Sequence, residues 1–199
     1  IINKCIVDRI GKEKGLLNSI IYGANGVGKF TLARMMVRKN INWIPLNIRD
    51  GSFLDNKINS SNYHFELFVN QYNYKDKTSF INTLDEFTGS LNVSTGDNNI
   101  IIIKNADLLS RDNILSIKKY SERRDKFVTF ILTMKSISKH KNILNNFFTY
   151  RVPTPSIDEI TEFLCKKVEE MELIGVSEQE IRKLVTTNKS NLKGIFIDS

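Results

Sequence analysis

The chain has 199 residues, 41% hydrophobic and 26% charged, which is the balance of a globular protein with room for one sizeable domain and a small second one. Its longest apolar runs, Ile100 to Ile103 and Phe127 to Met134, are far too short to span a bilayer, and no secretory signal is apparent, so an intracellular, non-secreted protein is expected. The formal net charge of +7 suits a polyanionic partner such as nucleic acid, although a composition rich in Ile, Asn and Lys also follows from an A+T-rich coding sequence.

In chain order, residues 1–10 read as a short helix and 11–15 as a polar loop. Asn18 to Tyr22 reads as a buried strand that runs into a glycine-rich loop. Lys29 to Arg38 reads as a helix, with Leu32, Met35 and Met36 spaced for one buried face. Asn42 to Ile48 and Tyr63 to Val69 are read as strands, Ser79 to Phe87 as a helix, and Leu91 to Asn99 as polar and turn-like. Ile100 to Ile103 is a run of β-branched residues, as in a strand buried on both faces. A helix over Ala106 to Lys119 and a strand over Phe127 to Thr133 follow. A helix near Lys141 to Asn145 and a strand near Phe148 to Val152 complete the alternation, which predicts an α/β fold with a parallel sheet flanked by helices.

The pattern changes at "PTPS", residues 153–156. Pro153 and Pro155 fit neither a central strand nor a helix interior. Ser156 is a candidate N-cap, and Glu159 would complete a capping box. Beyond it Ile157 to Met171, Ser177 to Thr186 and Ser190 to Ile197 read as helices. The expected organisation is residues 1–153 as the α/β domain and 154–199 as a small helical domain.

The stretch "IIYGANGVGKFT", residues 20–31, places Gly23, four residues, Gly28 and Lys29 in the spacing of a phosphate-binding loop. Glycines let the backbone turn so that successive N–H groups converge on phosphate oxygens, and the following helix adds the positive end of its dipole. The candidate nucleotide-binding residues are Gly23, Ala24, Asn25, Gly26, Val27, Gly28, Lys29, Phe30 and Thr31, with Lys29 reaching the terminal phosphates. Phe30 stands where a hydroxyl would hold magnesium. Thr31 does not replace it, because one helical step rotates a side chain by about 100°. Elsewhere Cys5 and Cys165 make no disulfide framework or metal spacing and are expected to be reduced. His64 and His140 lack ligand spacing and are read as structural.

With these motifs in place, the chain resembles the small subunits of replication factor C, the AAA+ clamp loaders, over most of its length. "YGANGVGKFT" at 22–31 is similar to the family's phosphate loop. "IIIIKNADLLSRDNILSIKKYSE" at 100–122 is similar to its second nucleotide motif, and "FVTFILTMKSISK" at 127–139 to its sensor 1 strand. "YRVPTPSIDEI" at 150–160 is similar to the join to the helical lid, and "SNLKGIFID" at 190–198 to the sensor 2 helix. "SSNYHFEL" at 60–67 and Thr31 one place late both resemble the non-catalytic small subunit at one end of the loader's spiral, a relative of the bacterial delta-prime subunit.

That resemblance implies an AAA+ P-loop domain followed by a lid, acting in a heteropentamer that opens a ring-shaped sliding clamp at primer-template DNA. It implies other loader subunits, the clamp and DNA as partners, and the nucleus or a viral replication compartment as the location. It maps sensor 2 to Lys193 and sensor 1 near Met134 or Lys135. The family's C-terminal collar has no counterpart before Ser199, so either a longer polypeptide or an isolated fragment is expected.

The departures bear on activity. The two acidic positions that close the family's second motif are Lys104 and Asn105 here, and Asp107 matches a later position with no catalytic role assigned. The arginine offered to a neighbour's nucleotide falls near Asn146, in a segment without Arg. Hydrolysis needs a held metal and a positioned water, and the contributors at positions 30, 104 and 105 are missing together. No catalytic residue, no metal ligand and no intrinsic ATPase activity are expected. Weak or structural binding of ATP or ADP is expected, an empty site being the alternative, with magnesium weak or absent. Lys118, Lys119, Arg123 and Arg124 cluster at the end of the helix after residue 106 and are candidates for DNA-phosphate contact, against the simpler reading of a solvated helix face. Two other functions stay open: an active P-loop ATPase or motor with unusual metal ligation, and a degenerate AAA+ scaffold for protein partners.

Overall fold

The alternating apolar strands assemble into a seven-stranded sheet in the order β2-β3-β4-β5-β6-β1-β7. The computed structural model describes residues 16–53, 56–69, 77–89, 99–123, 128–138, 140, 145–170 and 177–187. In chain order these form β1 (Ser19–Tyr22), α1 (Lys29–Asn40), β2 (Arg49–Phe53), β3 (Asn56–Ser60), β4 (His64–Phe68), α2 (Lys77–Thr88) and β5 (Asn99–Lys104). A 3-10 turn (Ala106–Leu108), α3 (Arg111–Arg123), β6 (Val128–Met134), β7 (Phe148–Arg151), α4 (Ile157–Glu170) and α5 (Glu178–Thr187) follow. Strands β4, β5, β6, β1 and β7 are mutually parallel, and β2 and β3 extend the sheet as an antiparallel hairpin.

Period-two alternation divides the core between the two faces of the sheet. Ile100 and Ile102 of β5, with Ile21 and Ile131, pack beneath Leu32, Ala33, Met36 and Val37 of α1. Ile101 and Ile103 point the other way and join Phe130 and Leu132 under Phe80 and Leu84 of α2 and Ile114 and Ile117 of α3. A third, smaller cluster holds α4 against α5 through Ile160, Ile181 and Val185. The chain therefore has a mixed α/β domain with a largely parallel sheet flanked by helices, plus a C-terminal helical region. Among the described residues no helix is long and apolar enough to cross a membrane.

Two expected elements differ. Asn42 to Ile48 is not a strand; Asn42 and Trp43 take positive φ values of 53° and 63°, and the next strands are the polar β2 and β3. The helix expected from Ala106 begins at Arg111 instead. Asn105 turns the chain out of β5 in a left-handed conformation, a region that Asn tolerates better than most residues, and Leu109 is extended. Ser110 then starts α3, its Oγ accepting the N–H of Asn113. At the proline boundary the capping box forms as expected: Ser156 N–H donates to Glu159, and Glu159 N–H to Ser156 Oγ. The expected elements at 1–15, 91–98, 141–144 and 190–197 lie outside the described residues.

Candidate functional site

Parallel pairing lines up the carboxyl ends of five strands. Phe68 of β4 pairs with Lys104 of β5, and Tyr22 of β1 lies between Met134 of β6 and Arg151 of β7. The chain leaves β1 toward the β4 side of the sheet, whereas β6 is followed by β7 on the far side of β1. Such a switch point, at the carboxyl edge, is where open α/β sheets bind their ligands. The glycine loop sits there, between β1 and the first turn of α1.

The loop's geometry depends on its glycines. Gly26 and Gly28 have φ values of 77° and 87°, and Gly28 caps α1 with its carbonyl accepting the N–H of Leu32. Val27, buried in the α1-side core, anchors the loop, while Ala24 and Asn25 are exposed at its tip. No acidic residue occupies the first turn of α1, and Arg38 and Lys39 sit in its last, so the helix dipole is left to favour an anion at the N-terminus. Lys29 is only 9% exposed, and its Nζ donates to the carbonyls of Gly23 at 2.9 Å and Ala24 at 2.5 Å. Burial lowers its pKa; the Asp107 carboxylate opposes that shift and Lys135 adds to it.

Gly23 has φ 154°, and a Cβ there would lie 2.4 Å from the Val152 carbonyl oxygen. Val152 itself donates to the Tyr22 carbonyl at 2.8 Å, so it cannot retreat without opening the β1–β7 junction. Gly23→Ala is therefore expected to cost about 2–3 kcal/mol of stability, measured as a lowered urea midpoint with an unchanged m-value.

An open cleft of about 350 Å³ lies beside the loop, lined by Tyr22, Gly23, Lys135, Arg151, Val152 and Thr154 among others. Lys135 and Arg151 are exposed on its walls. The ends of β5 and β6 are tied together near it: Asn105 N–H donates to Thr133 Oγ1, and Lys135 N–H to Asp107 Oδ1. Asp107 is thus engaged with the backbone, and Met134, the other candidate sensor position, is buried.

Positions 30 and 104, from which the family resemblance would have a metal held, meet each other. Alternation puts Lys104 on the α1 side of β5, and Phe30 reaches down from the first turn of α1. The Lys104 ammonium lies 4.9 Å from the centre of the Phe30 ring and 5.2 Å from that of Phe68. The two rings are 5.6 Å apart and tilted by 56°. Thr31 is exposed. A hard divalent cation takes oxygen ligands in near-octahedral geometry, and this arrangement does not fit one. The glycine loop with Lys29 does fit an anionic phosphate, since its donors and its positive surroundings match that charge.

Behind Phe30, the first turns of α1 are tied to β4. Arg34 stacks on Phe30 with its guanidinium carbon 4.6 Å from the ring centre, and it bonds both oxygens of Glu66 at 2.6 and 2.8 Å. His64 Nε2 meets the same carboxylate at 3.0 Å, and its Nδ1 lies 2.5 Å from Ser61 Oγ. The Ser61 hydroxyl oxygen also accepts the N–H groups of Tyr63 and His64, which makes it a turn cap. These links and Phe68 were not singled out from the sequence. Their signal is the alternation of β4, which puts positions 64, 66 and 68 on the α1 face.

The remaining sequence candidates are not brought to this edge. Helix α3 runs back from the carboxyl edge of the sheet to its amino edge, so Lys118, Lys119 and Arg123 lie at the far end from the glycine loop. Lys119 and Arg123 are exposed, while the Lys118 ammonium is 3.9 Å from Glu122. Asn146 donates to the same Glu122 carboxylate. Lys193 and Arg124 lie outside the described residues.

The fold and the loop define a class: an α/β domain with a glycine loop at the switch point of a largely parallel sheet, joined to a C-terminal helical region. No family model and no curated protein sequence matches the chain.

Proposed function

We propose that this chain is a nucleotide-holding, non-hydrolysing subunit of a DNA sliding-clamp loader, with an AAA+ domain over residues 1–153 and a lid over 154–199. The observation that carries this reading is the glycine loop at the switch point, with Lys29 drawn into it, beside Phe30 and Lys104 in mutual contact at the two positions from which the resemblance would have a metal held. The first half favours an anionic phosphate, and the second removes what hydrolysis requires. Six segments spread along the chain and resembling clamp-loader small subunits supply the assignment to a loader.

In this reading ATP or ADP is held by the loop for structural reasons. The loop amides and Lys29 orient the phosphates, and Asn105, with a side-chain amide where a carboxylate would polarise water, leaves the terminal phosphate intact. The other loader subunits, the clamp and primer-template DNA are its partners, in the nucleus or a viral replication compartment. Exposed Lys119 and Arg123 would add phosphate contacts whose affinity falls steeply with salt. Purification of the tagged protein from its native source tests the assignment: four further loader subunits and a ring-shaped clamp are expected, with nucleotide in the same sample. Recovery with unrelated partners and no clamp would instead favour an AAA+ scaffold that acts outside replication.

A further inference from the structure

We propose that the exposed turn after α1 is a contact for single-stranded DNA, with Trp43 stacking on an unpaired base and Arg38 meeting the adjoining phosphate. The inference shares only its partner with the reading above; it rests on neither the glycine loop nor a bound nucleotide. Helix α1 starts at the carboxyl edge of the sheet, so its last turn and residues 42–45 lie at the amino edge. Asn42, Trp43, Ile44 and Pro45 are all exposed there, and Trp43, the sole tryptophan of the chain, is 48% exposed. Closing the helix explains part of this turn. Asn42 N–H donates to the Lys39 carbonyl at 3.2 Å and Trp43 N–H to that of Arg38 at 2.6 Å, and Asn tolerates its φ of 53°. Closure does not call for Trp at the next position. Trp43 holds φ 63°, a left-handed conformation that a bulky side chain rarely adopts and that glycine takes freely. Strain of this kind persists where function uses the side chain it presents. The Arg38 guanidinium carbon lies 5.7 Å from the Trp43 ring centre, so a flat aromatic surface and a cation are paired, and both residues are exposed. Single strands are held by such pairs: bases stack on the ring whatever their sequence, and the cation takes the phosphate. Charge favours a strand over an apolar protein partner. Residues 16–49 contain five Lys or Arg and no Asp or Glu. On the other face of the sheet, exposed Lys119 and Arg123 end α3 at the same edge.

Tryptophan fluorescence of the whole chain, titrated with a single-stranded oligothymidylate, a blunt-ended duplex and heparin, tests this, because the signal comes from Trp43 alone. The oligothymidylate is expected to quench the emission, and the duplex to need about tenfold more for the same effect. Heparin, which has charge but no bases, is expected to leave the emission unchanged. Anisotropy of an end-labelled oligothymidylate reads the variants. Trp43→Gly is expected to bind it about tenfold or more weakly. Its urea midpoint is not expected to fall, since glycine relieves the strained φ. Arg38→Gln keeps the fluorophore and is expected to reduce the salt slope of binding by about one. Anisotropy that rises with no change in tryptophan emission puts the strand elsewhere on the protein and overturns the proposal. Equal quenching by heparin overturns it, as does unchanged affinity of folded Trp43→Gly. Absence of oligothymidylate binding by the folded wild type also overturns it and leaves the turn to a protein partner, while the loader assignment still stands or falls on copurification.

Discussion

Replacing Glu66 with Ala lowers the unfolding free energy by about 3 kcal/mol, toward the lower end of what breaking a buried ion pair costs. The carboxylate is fully buried and receives two charge-assisted hydrogen bonds from Arg34 and one from His64. Truncation strands the buried imidazole, whereas the Arg34 side chain, 35% exposed, is partly rehydrated. The link also positions Arg34 over Phe30, so the loss extends to the first turns of α1. Burial alone would raise the Glu66 pKa. Hydrogen bonds from His64 and Arg34, and the charge of Arg34, outweigh it and hold the group at about 2, against an ordinary 4.5. A carboxylate depressed in the folded state stabilises the fold above its unfolded pKa and stops doing so as pH falls through its folded one. Its contribution, about 3 kcal/mol for a shift of this size, is complete above the unfolded value of 4.5 and is lost as pH falls from there toward 2. Urea denaturation of the wild type and of Glu66→Gln, from neutral pH down to about pH 3, checks both statements. The two stabilities are expected to converge as pH falls, and a gap that does not change with pH would contradict the assignment.

Lys29→Ala is expected to reduce ATP affinity by at least about 100-fold, or about 3 kcal/mol, since one charge-assisted contact to phosphate is removed from a desolvated site. Its effect on stability is expected to be smaller, about 1 kcal/mol, because the Gly23 and Ala24 carbonyls it leaves are at the edge of solvent. Under the proposed function the ammonium serves the loop twice. It bonds those carbonyls at 2.9 and 2.5 Å, and under the proposed function it would turn from them to a bound phosphate. Calorimetric titration and urea denaturation of one preparation separate the two effects. Lys29→Arg is expected to stay weak, because a planar fork does not fit where a compact ammonium is buried. Equal losses in stability and affinity would mean that Lys29 is only a brace.

Much of the fold was legible because it is written in short-range patterns. The Ile100 to Ile103 run could only be a strand buried on both faces, and the spacing of Leu32 and Met36 gave the buried side of α1. The glycine loop was legible because its glycines stand at a fixed spacing between an apolar strand and a helix, where Gly26 and Gly28 take positive φ. The hairpin β2–β3 was not, since "RDGSF" and "NKINS" carry little apolar alternation and owe their pairing to the edge offered by β4. Residues 42–48 misled in the opposite sense: Trp43, Ile44 and Leu46 look strand-like, but Asn42 and Trp43 turn the chain at positive φ. At the site, that positions 30 and 104 carry no oxygen ligand could be read one position at a time. That Phe30 and Lys104 contact each other, and that Phe68 completes the cluster, depends on strand register and on the α1 packing. The Arg34–Glu66–His64 link was hidden for the same reason, as its members come from separate elements.

The fate of ATP offered to the protein tests the proposed function most directly. The purified chain is incubated with ATP and magnesium, and both released phosphate and protein-bound nucleotide are followed. Phosphate at the background rate, equal for wild type and Lys29→Ala, with ATP recovered uncut from the wild type alone, is the result expected. Steady phosphate release by the wild type that disappears in Lys29→Ala would contradict it.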